Sequence, residues 1–175
     1  MNDTLTTIRN RRSIRSYKKD QIKDEELNQI LEAAVYAPSG MNKQAWKFTA
    51  LQNPELLKKL SALMKTALDM PKEKEYNFYK APTLIIVSYD KNGTTGRSDC
   101  AAALENIFLS AASLGIGSCW INQLNHCCDD NEIRALLTDI KVPENYTVWG
   151  CAAIGYPEQI PAAPERLKGT IDIIK

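Results

Sequence analysis

APTLIIVSY, residues 81–89, is a nearly continuous apolar run that follows a polar stretch and precedes KNGTTGR. Its length and its β-branched residues are typical of a β-strand that is buried on both faces. YTVWGCAAIGY (146–156) has the same character, and WKFTAL (46–51) and GSCWI (117–121) predict shorter extended segments. The chain therefore contains strands that need cover on both sides.

Helical patterns alternate with these strands. Four of them start at a residue that can cap a helix N-terminus, namely Asp3, Asp24, Asn53 and Asp99. The last of these heads a long Ala-rich helix that Gly115 can end, and DDNEIRALLTDI (129–140) predicts one more helix. Outward from the buried strand, the sequence thus predicts one domain of mixed α and β structure over residues 1–175.

The charge balance excludes several classes of protein. The chain of 175 residues is 44% hydrophobic and carries 22 basic and 21 acidic residues, for a net charge of +1, so no global field attracts nucleic acid or a membrane surface. The N-terminus has no apolar signal segment. The five cysteines are odd in number and irregularly spaced, which favours reduced thiols. We expect a soluble, cytoplasmic protein.

Guanidinium groups are nonetheless concentrated in RNRRSIRSY, residues 9–17. Arginine binds phosphate through bidentate, charge-assisted hydrogen bonds, and Ser13 adds a hydroxyl donor. If the segment is extended, alternate side chains point to opposite sides: Arg11, Ser13 and Arg15 to one, Arg12 and Ile14 to the other. The cluster could also be a solvated basic face that pairs with DEEL (24–27), or a nucleic-acid module, although no aromatic or glycine residues are interleaved with it.

Two further stretches are suited to a heterocyclic ligand. APSGMNKQAWKF (37–48) combines small residues with the amides of Asn42 and Gln44, although an ordinary loop also contains such residues. In LGIGSCWIN (114–122), two glycines allow the backbone to lie flat against a ring. Helix capping explains Gly115 but not Gly117.

His126, Cys127 and Cys128 are the obvious metal ligands to consider. Adjacent cysteines do not readily supply two ligands to one tetrahedral zinc ion, and the sequence has no second C-x-x-C motif. We therefore expect no metal site.

Taken together in this order, RRSIRSY, APSGMNKQAWKF, LGIGSCW, AAIGYPEQIP and the late APERLK make the sequence resemble the short form of the FMN-dependent nitroreductase family. The resemblance implies an α+β fold, with a central, mostly antiparallel sheet flanked by helices. It also implies an intertwined homodimer with two FMN molecules at the subunit interface and a C-terminal strand exchanged between subunits. The unpaired strand pattern TIDIIK (170–175) agrees with such an exchange.

The resemblance also implies which residues bind FMN. Arg11, Arg12, Ser13 and Arg15 correspond to the group that holds the phosphate and part of the flavin, and Arg166 and Lys168 are further candidate phosphate ligands. Pro38, Ser39, Gly40, Asn42 and Gln44 resemble the loop that reaches FMN from the partner subunit. Ser118, Cys119 and Trp120 fall where the family lays backbone along the flavin. Lys74 and Asn77 lie where longer relatives place polar residues against the ring.

The implied function is that of an FMN-dependent NAD(P)H oxidoreductase. NADH or NADPH delivers hydride to flavin N5, and a nitroaromatic, quinone or similar small-molecule acceptor then takes the electrons at the same face, in a ping-pong cycle without a catalytic side chain. Arg12 or Arg15 near the ring would favour the reduced flavin. Tyr76, Phe78 and Tyr79 either form a lid over the flavin or pack as part of a short amphipathic helix. The alternatives are a flavin store or sensor and a dehalogenating or flavin-modifying relative.

Overall fold

The computed structural model describes residues 2–71, 73 and 75–175. Within these residues, four strands form one sheet: β1 (Trp46–Leu51), β2 (Thr83–Asp90), β3 (Gly117–Ile121) and β4 (Tyr146–Gly155). Their order is β1-β2-β4-β3, and every neighbouring pair is antiparallel. The predicted strands are therefore confirmed, and so is the antiparallel sheet that the resemblance implied.

Helices cover the sheet. The described residues form α1 (Asp3–Asn10), α2 (Asp24–Val35), α3 (Pro54–Ala67), α4 (Gly96–Ser113) and α5 (Asn131–Asp139). Asn53 caps α3 as predicted, because its side-chain oxygen accepts the N–H groups of Glu55 and Leu56. The predicted caps Asp3, Asp24 and Asp99 are wrong, since each lies inside the first turn of its helix.

The residues outside those turns explain the difference. The Asn2 side chain accepts the N–H of Leu5 and thus caps α1, one residue before the predicted position. The backbone N–H of Lys23 donates to the Glu26 carboxylate at the start of α2. α4 begins three residues before Asp99. The Asp99 carboxylate is therefore available to a partner other than the N–H groups of the first helical turn.

β2 separates two apolar clusters. Leu84 and Ile86 belong to the cluster formed with α3 and α5, whereas Ile85, Val87 and Tyr89 belong to the cluster formed with α2 and α4. All five side chains are fully buried. Alternate residues of a strand point to opposite faces, so the unbroken apolar run from Leu84 to Val87 requires apolar cover on both faces. The prediction from APTLIIVSY is confirmed.

The segment that follows α1 runs along the free edge of β3. Ser13 and Ser118 form a parallel bridge, and the Ile14 N–H donates to the Ser118 carbonyl oxygen at 2.9 Å. The Tyr17 hydroxyl lies 2.8 Å from the Ile14 carbonyl oxygen and 3.1 Å from that of Ala153. Ile14 and Tyr17 are buried, and this anchorage fixes the backbone that carries the arginines.

From residue 159 onward, the chain is exposed and forms neither helix nor strand among the described residues. The absence of a helix follows from its prolines. Ile171, Ile173 and Ile174 are 81%, 77% and 93% exposed, and TIDIIK pairs with no strand among the described residues. In the described part of the molecule, no helix has both the length and the apolar character that crossing a membrane requires.

Candidate functional site

A groove of about 380 Å³ lies where the two ends of the chain meet. The N-terminal segment contributes four of its lining residues, and the C-terminal segment contributes the others: Arg11, Arg12, Ser13, Arg15, Pro161, Ala162, Pro164 and Arg166. Four arginines and one serine therefore line one space, and none of these lining residues is acidic. Such a set of donors fits a phosphate, because each guanidinium can give two parallel hydrogen bonds.

Arg11 is oriented by α4. Its Nε atom lies 3.7 Å from Glu105 Oε1, and its guanidinium carbon lies 5.9 Å from the centre of the Phe108 ring. The Phe108 ring in turn lies 5.7 Å from the ring of Trp120. Arg11 therefore joins the groove to a tilted pair of aromatic rings, Phe108 and Trp120.

Arg12 lines the same groove as Arg11, and its side chain turns back toward the end of α1. Its Nη1 atom donates to the carbonyl oxygens of Arg9 at 2.7 Å and Arg11 at 2.8 Å. These oxygens belong to the C-terminal end of α1, where carbonyl groups lack helical partners. The helix end thus turns the side chain back, while Ile14 alone enters the core.

Arg15 is exposed and lies against Tyr79. Its guanidinium carbon is 5.8 Å from the centre of the Tyr79 ring. A side-chain hydrogen bond with Tyr79 is the main cause that raises the pKa of Arg15, so the group stays charged. Phe78 is buried and packs edge-on against Tyr76 at 5.4 Å. Of these three aromatic residues, Phe78 therefore packs in the core, and Tyr79 contacts Arg15, which lines the groove.

Three further candidate residues lie in β3, next to the segment that carries the arginines. Ser118 and Cys119 are buried, and Trp120 is 42% exposed beside the Arg11–Phe108 pair. Burial is the main cause that raises the pKa of the Cys119 thiol, against the opposing effect of Arg15 and Arg11. The thiol is therefore neutral near pH 7, in keeping with a packing role.

The structure also explains Gly115 and Gly117, the two glycines between α4 and the body of β3. Gly115 ends α4 with a φ of 73°, as predicted for a helix C-terminus. A Cβ atom on Gly117 would lie 3.0 Å from three atoms of Ile14. The close approach of the arginine segment to β3 is thus the reason for Gly117 that helix capping could not supply.

The 38–44 loop lies elsewhere in the same chain. The Gly40 N–H donates to Asp99 Oδ1 at 3.1 Å, near the start of α4. The groove instead adjoins Glu105 and Phe108, six to nine residues further along that helix, or about 9–14 Å. Pro38, Ser39, Gly40, Asn42 and Gln44 do not line the groove of their own chain.

Three other candidates lie apart from the groove or outside the described residues. Lys168 does not line it, although Arg166 does. Asn77 donates to the Glu75 carboxylate at 2.7 Å, and Lys74 lies outside the described residues.

The predicted junction around His126 contains buried thiols. The Cys127 and Cys128 thiols donate to backbone carbonyl oxygens of Gln123 and Asn125. Burial raises the pKa of Cys127 to about 11. Among the residues that the structure describes, no group of three or more His, Cys, Asp or Glu side chains is placed to hold a metal ion.

Sequence reasoning missed the side chains that orient the arginines. Glu105 and Phe108 lie on the predicted Ala-rich helix, one turn apart, and this i,i+3 spacing places them on the same helix face. The spacing was a usable signal, but the packing of Arg11 against that face depends on tertiary structure. Nothing local in the sequence pairs Arg15 with Tyr79.

Comparison with known proteins adds to this geometry. The sequence model of the Nitroreductase family matches residues 8–156. A relative from Archaeoglobus fulgidus, named "Putative NADH dehydrogenase/NAD(P)H nitroreductase", is 37% identical over 159 residues, which cover 90% of this chain and 87% of the relative. That match and the family model span most of the chain.

Solved structures give the same result. A nitroreductase with bound FMN from Bacteroides fragilis has a TM-score of 0.95 and 45% identity, with full coverage of both chains. A nitroreductase with bound FMN from Desulfitobacterium hafniense has a TM-score of 0.91 and 28% identity, again with full coverage. Sequence and structure agree, and the chain belongs to the nitroreductase family.

Proposed function

We propose that this chain binds FMN and uses NADH or NADPH to reduce nitroaromatic, quinone or similar acceptors. The observation that carries the proposal is the groove in which Arg11, Arg12 and Arg15 meet Arg166 around Ser13. FMN ends in a phosphate, and the donors of the groove are those that a phosphate requires. The FMN bound by the Bacteroides fragilis and Desulfitobacterium hafniense nitroreductases supports the assignment.

The arginines of the groove have different parts in this proposal. Arg12 has committed Nη1 to the end of α1 and keeps its remaining N–H groups for the phosphate. Arg11 is held against Phe108 and Glu105, which limits its motion. Arg166 comes from the exposed C-terminal segment and also lines the groove. Lys168 is a secondary ligand in the same segment.

Arg15 acts at the ring rather than only at the phosphate. A permanent positive charge beside an electron-accepting ring favours its reduced form. Tyr79 orients that charge, and the backbone of Ser118, Cys119 and Trp120 would contact the ring. When bound, the flavin supplies reversible hydride and electron transfer between the nicotinamide donor and the acceptor. The protein supplies binding, orientation and positive charge.

Two copies of the chain complete each site in this proposal. The 38–44 loop carries Pro38, Ser39, Gly40, Asn42 and Gln44 and does not line the groove of its own chain. We assign it to the FMN held by the arginines of the partner. The exposed isoleucines of TIDIIK then pair with the sheet of the partner, which removes an unpaired and apolar segment from water.

The test is reconstitution followed by turnover. The purified chain is incubated with excess FMN, desalted and examined for flavin absorbance near 450 nm, and NADH and NADPH oxidation is then followed with a nitroaromatic and a quinone. Retained flavin and acceptor-dependent oxidation support the proposal. A colourless chain contradicts it. Bound flavin without turnover indicates a store or sensor, and loss of the flavin during turnover indicates a flavin-modifying enzyme.

A further inference from the structure

Within the 38–44 loop, three residues other than glycine adopt left-handed backbone conformations. Met41, Asn42 and Gln44 have φ angles of 52°, 54° and 49°. L-amino acids rarely adopt such angles, and they persist only where surrounding contacts enforce them. The Met41 side chain is 77% exposed, so its packing does not supply that enforcement.

Hydrogen bonds between neighbouring residues of the loop define its shape. The Gln44 N–H donates to Ser39 Oγ at 3.1 Å, and Gln44 Nε2 donates to Asn42 Oδ1 at 2.8 Å. The Asn42 N–H donates to the Ser39 carbonyl oxygen at 3.0 Å. These bonds set the internal geometry of the loop but do not fix its position relative to the sheet.

Asp99 links the loop to α4. Its carboxylate is buried, with Oδ1 accepting the Gly40 N–H at 3.1 Å and Oδ2 accepting the Thr95 hydroxyl at 2.8 Å. Because the single Thr95 hydroxyl proton is used in that bond, the Tyr89 hydroxyl donates to Thr95 Oγ1, 3.3 Å away. A chain of hydrogen bonds thus runs from the buried strand β2 to the loop.

The loop and α4 are also in very close contact. A Cβ atom on Gly40 would lie 2.6 Å from Thr95 Cγ2 and 2.8 Å from Thr95 Oγ1. Residue 40 must therefore lack a side chain for its N–H to reach Asp99. The sequence pattern predicts Asp99 as a helix cap. In the structure, its oxygens instead accept hydrogen bonds from the loop and from Thr95.

We infer that Asp99 is a positioning residue for FMN binding: its carboxylate holds the 38–44 loop where it can contact the cofactor of the partner subunit. This inference rests on the proposed function and adds a residue that the resemblance did not include. Asp99 acts through the loop and does not touch the flavin itself.

The test compares substitutions that keep or remove the acceptor atoms. Asp99→Asn retains an oxygen for the Gly40 N–H and can donate to Thr95 Oγ1, whereas Asp99→Ala retains neither contact. We expect Asp99→Ala to raise the Kd for FMN about tenfold or more, the size expected for loss of a hydrogen bond to a charged group. Asp99→Asn should stay within about threefold of the wild type, by the same reasoning for one preserved contact.

Ser98→Ala is the matched control. Ser98 is exposed, lies in the same turn of α4 and donates to the Thr95 carbonyl oxygen at 3.0 Å without touching the loop. The Ser98→Ala variant should bind FMN with the same affinity as the wild type. Hydrogen exchange of the Gly40 amide provides a second readout, in which protection is lost in Asp99→Ala and kept in Asp99→Asn and Ser98→Ala. If Asp99→Ala does not fold, Gly40→Ala displaces the loop from Thr95 and should weaken FMN binding in the same way.

The outcomes separate the two proposals. A wild-type chain that binds FMN, together with a folded Asp99→Ala chain that binds it equally well, overturns the role of Asp99 alone. Equal loss of affinity in Asp99→Ala and Ser98→Ala also overturns it, because a general weakening of α4 would then be the cause. A wild-type chain that binds no FMN overturns the proposed function and this inference together.

Discussion

At the scale of single residues, contacts outside the cluster determine what each arginine can do. Arg12 is partly committed to the end of α1, Arg11 is held by α4, and Arg15 lies against Tyr79 while remaining exposed. Arg15 is therefore the guanidinium that has both an orienting contact and free access to a ligand. Its removal is the most direct test of the groove.

Replacing Arg15 with alanine should raise the Kd for FMN about ten- to a hundredfold, because a hydrogen bond to a charged group contributes about 1.5–3 kcal/mol. Fluorescence titration of FMN measures the change. Retained flavin in this variant should also be harder to reduce, which a potentiometric titration detects. Lys59→Ala is the control, since it removes an exposed positive charge of α3 that does not line the groove. Wild-type affinity and potential in Arg15→Ala would refute the assigned role.

Gly117 tests the contact between β3 and the arginine segment. Replacement with alanine should destabilise the fold by about 1–3 kcal/mol, the usual cost of overpacking, because its Cβ would meet Ile14. It should also weaken FMN binding, since Ile14 carries the backbone between Ser13 and Arg15. Chemical denaturation and FMN titration measure the two effects.

Gly115→Ala distinguishes backbone strain from that contact. A Cβ at Gly115 meets nothing within 4 Å, although its φ of 73° makes alanine unfavourable. This variant should lose stability and keep its FMN affinity. If both glycine variants bind FMN equally well, the close approach of Ile14 to β3 does not govern the groove.

At the scale of elements, the end of β4 is tied to the start of α2 by one polar pair. The Tyr156 hydroxyl donates to the Glu26 carboxylate, which also accepts the Lys23 N–H. The bond from Tyr156, followed by that from Lys23, lowers the pKa of Glu26 below its usual value. A carboxylate of this kind stabilises the folded state above its unfolded pKa, and that contribution is lost as the pH falls through the lower folded pKa.

Tyr156→Phe should therefore lower the free energy of unfolding near neutral pH. The loss of that free energy as the pH becomes acid should be smaller in the variant than in the wild type. The difference in unfolding free energy between wild type and variant should be constant above about pH 5.5 and shrink as the pH falls through about 4.3, the ordinary pKa of glutamate, and below it. Urea denaturation at a series of pH values measures the difference. A gap that does not change with pH would show that Glu26 is not stabilised in its charged form by Tyr156.

At the scale of the whole molecule, the exposed C-terminal segment is the feature that a single chain leaves incomplete. Ile171, Ile173 and Ile174 are exposed and adjacent, and a β-branched segment without a partner invites pairing with another chain. Arg166 lies in the same exposed segment and yet lines the groove. We therefore expect this segment to contribute both to the association of two chains and to FMN binding.

A chain that ends at Lys168 should keep its sheet and core but associate more weakly than the full chain of 19.6 kDa. The deleted residues are exposed, so far-ultraviolet circular dichroism should change little, whereas sedimentation should shift from dimer toward monomer. Lys175→Ala in the full chain is the control, because it alters the terminus without removing the isoleucines. A truncated chain that dimerises as tightly as the full one would place the interface elsewhere.

The sequence by itself determined the strands, the helices and the type of ligand. Apolar runs such as 81–89 specify a strand locally, because the period of the side chains decides which faces are buried. The helix starts were predicted within a few residues, and the phosphate site proposed at RRSIRSY follows from its residue types, because arginine and serine are hydrogen-bond donors to phosphate wherever they lie.

Tertiary structure alone decided which of these groups meet. The contribution of Arg166 to the groove, the reversal of Arg12 toward α1 and the bond from Gly40 to Asp99 join residues whose relative positions no local pattern encodes. Period and propensity act over a few neighbouring residues, whereas these contacts depend on where the sheet places its edges and helix ends. The physical reason is that the packing of strands and helices decides which side chains come within contact distance of one another.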